Sequence, residues 1–297
     1  MDIVWFILLL ILFLILLEIW RSAHTLSTSQ REIFLEKLPD AFDGFKICHL
    51  SDFHMTPFVE NDALEAAILK QSPDAIFVTG DILDCTQDRY ATNFFSLVER
   101  LEGKFPIYCS LGNHEMRVGH GKLSSTLRHA LEDAGVVVLD NDHIPLCHNG
   151  EKLWLYGYLQ EFSPLKKNST YHHARLRQDV TEKNISDALG PCPKDAPVIL
   201  LAHDPYPFES YAQWGAALVL SGHIHGGVVR LPLLGGLLSP DRKLFPKYDC
   251  GHFYSEGGSS AQLYLSRGLG NSSIPRFFDS AEAAFLTLRP AKIIGRQ

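Results

Sequence analysis

Five short apolar runs in this chain each stop at side chains able to bind a cation. Ile47–Leu50 leads to Asp52 and His54, Ala75–Thr79 to Asp81 and Asp84, and Ile107–Leu111 to Asn113, His114 and Glu115. Val198–Ala202 leads to His203, and Leu218–Ser221 to His223 and His225. Short apolar runs bounded by turn residues read as buried strands. One strand-end Asp or His is ordinarily a cap or a surface group. Five sets in the same position mark one end of a sheet, where open α/β sheets build their sites.

The rest of the body fits such a sheet. "VVVL" (136–139), "KLWLYGY" (152–158), "QLYLS" (262–266) and "AAFLTLR" (283–289) read as further strands. Helical spacing appears in Leu64, Ala67 and Ile68, in Phe94, Leu97, Val98 and Leu101, and in Leu127, Ala130 and Leu131, the last stopping at Gly135. Alternating strand and helix implies an α/β domain with parallel strands in its first part. The second part reads mostly as strand, with antiparallel pairing expected. With 297 residues, 46% of them hydrophobic, the chain can bury a sizeable core. A net charge of −7 argues against a general nucleic-acid binder. The six cysteines contain no CxxC and do not read as a disulfide framework; they fit a reducing compartment.

The amino terminus reads as something else. Ile3–Leu17 is apolar without a break, and Ile19 and Trp20 follow Glu18. Eighteen helical residues reach about 27 Å, close to the roughly 30 Å of a hydrocarbon core. We therefore expect a single-pass anchor over residues 1–20, a linker over 21–43 and the globular domain over 44–297. Asp2 precedes the anchor, and Arg21, Arg31 and Lys37 follow it, which favours a cytoplasmic-membrane protein with its domain on the cytoplasmic side; the exported side is the alternative. Ile33, Phe34, Leu35 and Leu38 in the linker could make a short amphipathic piece against the membrane or against the domain.

The donor set has a chemical meaning. Imidazole suits Zn, Fe and Mn, and carboxylate and amide oxygens suit Mn and Mg, so the mixture fits two divalent cations. No cysteine belongs to it, against a structural zinc site. If His223 and His225 lie on a strand they face one way, with backbones roughly 6–7 Å apart, and Ile224 points into the core.

The order DxH (Asp52–His54), GDxxD (Gly80–Asp84), GNHE (Gly112–Glu115), His203 and GHxH (Gly222–His225) resembles the calcineurin-like metallophosphoesterase superfamily, from about Phe45 to Pro290. "LLAHDPYPFESYA", "LSGHIHGGVVRLP" and "SRGLGNSSIPRFF" are similar to its small membrane-associated bacterial members. Those include exported phosphoesterases and a UDP-2,3-diacylglucosamine pyrophosphatase. The resemblance implies a four-layer αββα sandwich with two metals, Mn²⁺ first among the expected ions and Zn²⁺, Fe²⁺ or Mg²⁺ the others. Carried over, Asp52, His54 and His225 would hold one metal, Asn113, His203 and His223 the other, and Asp81 would bridge them. Two metals so placed activate a water for in-line attack on phosphorus. His114 would sit near the leaving oxygen as general acid or charge stabiliser. Asp84 would orient a histidine or a loop. Three departures stand out: Ile224 where the branch usually has Thr, Val228 where it has Gln, and "GYLQEF" in place of a loop ending in Asp-Pro.

The substrate is read less directly. Lys166, Lys167, His172, His173, Arg175 and Arg177 make either a solvated surface helix or a basic lip for an anion. Arg267 is either a phosphate contact or a surface arginine. Leucines in "RLPLLGGLLSP", with Phe277 and Phe278, make either a tucked hairpin or an apolar wall for acyl chains. The expectation is a phosphodiester or pyrophosphate hydrolase acting on a lipid-linked substrate such as UDP-2,3-diacylglucosamine, releasing UMP and a lipid monophosphate. The alternatives are an exported or surface-anchored phosphodiesterase or phosphatase of broad specificity, and a non-catalytic metal-binding scaffold.

Overall fold

The computed structural model describes residues 2–54, 56–60, 62–84, 91–101, 103–118, 125–160, 179–240, 242–271 and 274–291. Two six-stranded sheets face each other. The first runs, edge to edge, β1 (Leu26–Leu35), β14 (Ala281–Pro290), β2 (Lys46–Leu50), β3 (Ala75–Thr79), β4 (Ile107–Ser110) and β5 (Val136–Val138). The second runs β12 (Gly251–Tyr254), β13 (Gln262–Leu265), β9 (Leu218–Ser221), β8 (Val198–Ala202), β7 (Glu151–Tyr158) and β6 (Asp142–His148). All nine strands expected from the apolar runs are present.

Three apolar layers hold the sandwich together, and they account for its four-layer αββα order. Between the sheets lie Ile47, Phe77, Leu155, Leu201, Leu220 and Leu286. Outside the first sheet, Leu64 and Ile68 of α2 (Ala63–Gln71), Phe94 and Leu97 of α3 (Thr92–Arg100) and Leu131 of α5 (Ser125–Asp133) cover its other face. Outside the second, Ile185 and Leu189 of α6 (Glu182–Leu189) and Phe208, Tyr211 and Trp214 of α7 (Phe208–Trp214) do the same. Strands apolar on both faces, such as Ala75–Thr79 and Val198–Ala202, are buried throughout for this reason.

Two expectations change. The second sheet is mainly parallel: β7, β8, β9 and β13 all run one way, with antiparallel partners only at the edges, β6 and β12. The helices α6 and α7 supply the crossovers that parallel pairing requires. Residues 26–35 of the expected linker are also a full strand. β1 pairs with β14 over ten residues, Leu26↔Ala281 to Leu35↔Pro290. Its polar spelling, LSTSQREIFL, reflects an edge strand with one solvated face, so neither an apolar run nor a helical stripe marks it.

The amino-terminal helix α1 (Asp2–His24) is exposed along its apolar length, and an 18-residue stretch within Ile3–His24 has a mean hydropathy of 3.0, so the helix is long and apolar enough to cross a membrane. Strand register shows where it meets the domain. β14 runs antiparallel to β2, with Ala284 opposite His49 and Thr287 opposite Lys46. The start of β14 therefore lies at the carboxyl end of β2, and β1, paired in parallel with β14, begins there too. The helix enters at the sheet end that carries Asp52.

Candidate metal centre

Asp52 and His54 follow β2, Asp81 follows β3, Asn113 and His114 open α4 (Asn113–Val118) after β4, and His203 and His223 follow β8 and β9. The parallel strands of both sheets thus end at one place. Three groups have ligand atoms lying within 4.8 Å of one another: Asp52, His54 and His225; His54, Asp81 and His114; and Asp81, His203 and His223. Asp81 and His54 each belong to two of them, and Asp81 is the carboxylate so shared. His203 Nε2 lies 3.1 Å from Asp81 Oδ2 and 3.9 Å from Asp52 Oδ1, and His225 Nε2 lies 3.4 Å from Asp52 Oδ1. His114 Nε2 is 4.0 Å and His54 Nε2 3.9 Å from Asp81 Oδ2.

The backbone is bent to make this possible. Asp52, His54, Asp81, His223 and His225 all have positive φ, between 41° and 72°. Left-handed backbone at a non-glycine residue costs of order 1–3 kcal/mol and gathers where a site over-determines it. Neighbouring amides fix these turns. The His114 amide donates to Asp81 Oδ1 at 2.8 Å, and the His223 amide donates to both Asp52 oxygens at 3.1 and 3.0 Å. Glu115, buried and not a ligand, accepts from the amides of Gly112, Asp81 and Leu83, tying the β3 and β4 turns together. A Cβ on Gly222 would overlap Ser51 Oγ and Asp52 Oδ2, so this position admits no side chain.

The histidine pair differs from its expected geometry. β9 ends at Ser221, His223 is left-handed, and His225 starts a 3-10 turn, so the two are not alternate residues of a strand. The turn separates them: His223 joins His203 and Asp81, while His225 joins Asp52 and His54. Ile224 is fully buried in the layer outside the second sheet, packed with Val219 and Leu265 among others.

Burial and close pairing set the charges in the cleft. Burial opposes the charge on Asp81, but His203 and His114 beside it hold the carboxyl well below its ordinary range. Asp52 is lowered in the same way, burial being outweighed by His225 and His203. Burial opposes charge on His203 too, yet Asp81, helped by Asp52 and the Thr79 carbonyl, lifts it to about 10. Burial takes His225 down to about 3 and His114 to about 4, against the pull of Asp52 and Asp81 respectively. A proton is thus trapped on His203 between two carboxylates. Among the described residues the buried Asn113 Oδ1 and His54 Nδ1 have no hydrogen-bond partner. Buried lone pairs converging without donors fit cations.

The other site residues fall in three classes. Asp84 Oδ2 stands 3.8 Å from His54 Nδ1, as a group orienting that ring would. Arg267 is tied inward, its guanidinium donating to Ser27 Oγ at 3.1 Å and lying 3.7 Å from Glu282. Lys166 and Lys167, with the rest of the basic stretch, lie outside the described residues. Arg276, which the sequence reading passed over, is fully buried behind His225. It donates to the carbonyls of Arg267, Gly268 and Gly270 and to Asp279 Oδ2, with Nη2 3.5 Å from His225 Nδ1. Its signal was an arginine inside the otherwise apolar "IPRFF", with Asp279 three residues on.

Carboxylates, an amide and imidazoles at the tips of an αββα sandwich define a metal-dependent phosphoester hydrolase. The calcineurin-like phosphoesterase family model matches residues 45–227, and the chain belongs to that family. The uncharacterized metallophosphoesterase YkuE of Bacillus subtilis (strain 168) is 30% identical over 277 residues, covering 90% of this chain and 86% of its own. The phosphodiesterase YaeI of Escherichia coli (strain K12) is 26% identical, covering 76% of each chain. A transmembrane protein with metallophosphoesterase domain from Danio rerio is 26% identical over 88% of this chain and 56% of its own.

Proposed function

We propose that this chain is a membrane-anchored, two-metal phosphohydrolase that cleaves a phosphodiester or pyrophosphate bond in a lipid-linked substrate. The observation that carries the reading is the strand register that brings α1 to the metal-bearing end of the first sheet. An anchor at that end holds the cleft near a bilayer surface. Asp52, His54 and His225 would hold one divalent cation, Asn113, His203 and His223 a second, with Asp81 between them. Such cations supply positive charge against the phosphoryl oxygens and a nucleophile at neutral pH.

The chain's own residues do the rest. The buried amides on Asp52 and Asp81 fix their oxygens, so the ligands need little rearrangement. Glu115 holds the turn that presents His114. With its pKa pushed down to about 4, His114 is a neutral imidazole at pH 7. It therefore acts as an N–H donor to charge growing on the departing oxygen, more than as a full proton donor.

UDP-2,3-diacylglucosamine, cleaved to UMP and a lipid monophosphate, is the leading specific substrate, with the domain on the cytoplasmic side and Mn²⁺ the expected metal. Purified full-length protein with Mn²⁺ should release UMP from it. No UMP, with turnover of bis-p-nitrophenyl phosphate intact, would remove the nucleotide-lipid reading. It would leave a broad phosphodiesterase, in keeping with the similarity to the phosphodiesterase YaeI. No turnover of either would leave a non-catalytic scaffold.

A further inference from the structure

We propose that the hairpin of β10 (Val229–Leu231) and β11 (Gly235–Leu238), with the adjoining Leu244–Phe245 turn and Phe278, is a second membrane contact that seats the metal cleft on the bilayer carrying α1. The inference rests on α1 spanning a membrane and not on the identity of the substrate.

Three observations carry it. The hairpin tip is apolar and bare: Leu233 is 106% exposed and Leu234 66%, and Leu244, Phe245 and Phe278 beside it are exposed too. A leucine left in water forgoes the transfer free energy that burial would give, and neighbouring apolar tips in solvent mark an interaction surface. These residues form one body. Phe245 donates its amide to Leu237, Leu238 bridges Leu244, and Arg230 and Val228 bond the Phe277 backbone.

That body is joined to the anchor. The Phe278 amide donates to Glu18 Oε1 at 3.2 Å, and Glu18 also pairs with Arg21 and Ser22. Glu18 is the first charged residue after the apolar run and Trp20 follows it, so this level of α1 corresponds to the membrane–water boundary. Phe278 and the hairpin bonded to it are therefore held where α1 leaves the bilayer.

The charge around the tip selects the occupant. Arg242 is exposed two residues from Leu244, and Lys243 lies over the Tyr206 ring. Apolar side chains rimmed by cations suit an interfacial position among anionic headgroups, where the apolar groups enter the acyl boundary and the cations stay above it. The hairpin leads directly from His225–Gly227, so a seated hairpin holds the metal cleft at headgroup height.

Hydroxyl-radical footprinting of the full chain, one copy per phosphatidylethanolamine/phosphatidylglycerol nanodisc, tests this. Leu69, on the half of α2 nearest β3 and remote from the cleft, is the internal reference at 42% exposure. In water Leu233 should oxidise more than twice as fast as Leu69, given 106% against 42% exposure. Seated in lipid it should oxidise about threefold more slowly than Leu69, and Phe245 should fall well behind the comparably exposed Tyr254. Leu233 oxidising faster than Leu69 in the disc would overturn the proposal. So would protection found only in discs holding two copies, which would make this face a self-association surface. Turnover of bis-p-nitrophenyl phosphate by the same sample reads the phosphohydrolase assignment separately.

Discussion

The metal cleft and the hairpin tip are neighbours in sequence, joined through His225–Val229, and they invert the ordinary rule of burial in opposite senses. In the cleft, Asp52, Asp81, His203 and His225 are polar and buried. At the tip, Leu233 and Leu234 are apolar and exposed. Neither arrangement is comfortable in water alone. The cleft gathers buried lone pairs that a cation would satisfy, and the tip gathers alkyl groups that an apolar phase would cover. Both carry left-handed residues, Asp52, His54 and Asp81 in the first and Leu233, Phe245 and Phe278 in the second, but only the cleft has its carboxylates fixed by buried amides, whereas the tip is a short two-stranded hairpin. Cation binding asks for preset geometry; bilayer contact asks only for apolar area at the right height.

The largest break in this contrast comes from removing the shared carboxylate. Asp81→Asn keeps the shape but takes the charge that His203 and His114 face. Turnover of bis-p-nitrophenyl phosphate should drop by about a thousandfold or more, and bound metal measured by elemental analysis should fall with it. Full metal occupancy in the variant would show that Asp81 is not a ligand.

His114→Ala separates chemistry from binding within the same cleft. The expected loss is about a hundredfold to a thousandfold in kcat, with both metals retained. Loss of a metal would move His114 among the ligands, beside His54 and Asp81.

Protons sharpen the comparison further. The pKa of His203 in the metal-free chain is raised from 6.5 to about 10, so the folded chain holds a proton there at neutral pH that a cation must displace. The affinity of the cation held by His203 should rise about tenfold per pH unit through the neutral range, levelling off near pH 10, with about one proton released as that cation binds, measurable by titration calorimetry in buffers of different ionisation enthalpy. Because the folded pKa is the higher one, His203 stabilises the metal-free chain fully below pH 6.5, and that stability is lost as pH rises through about 10. The metal-loaded chain should lack this decline. The tip carries no such group, so its lipid contact should not follow that curve.

How much of this the sequence shows depends on whether a feature is local. Asp52, Asp81 and the histidines stand at the ends of apolar runs, so their convergence follows once the runs are read as strands meeting at one sheet edge. The layers follow from the same runs, whereas β1 does not, because an edge strand facing solvent takes polar residues and declares itself only through its register with β14. The left-handed turns at Asp52, His54, Asp81, His223 and His225 also escape, since at Asp52 and Asp81 the carboxylates are held by amides from other segments. Arg276 is bonded mainly to backbone carbonyls of Arg267–Gly270, which spacing does not reveal. The hairpin leucines were visible as a pattern, but tucked and exposed leucines are spelled alike; only packing distinguishes them.

Stability reads that last distinction most directly, with the smallest effects. Ile224 and Leu233 lie nine residues apart on either side of the cleft turn, one fully buried and one fully exposed. Ile224→Thr places a hydroxyl in an apolar layer containing Val219 and Leu265 and should cost about 1–3 kcal/mol. In detergent-solubilised protein this appears as a lower Tm with metal content unchanged, because the residue's side chain faces the layer outside the second sheet and not the ligands. Leu233→Gln removes no packing within the chain and should move stability by less than about 0.5 kcal/mol under the same conditions. A large loss from Leu233→Gln would mean that the tip is bound to the domain in solution, and the contrast between a cleft built for a cation and a tip built for lipid would then fail on its second half.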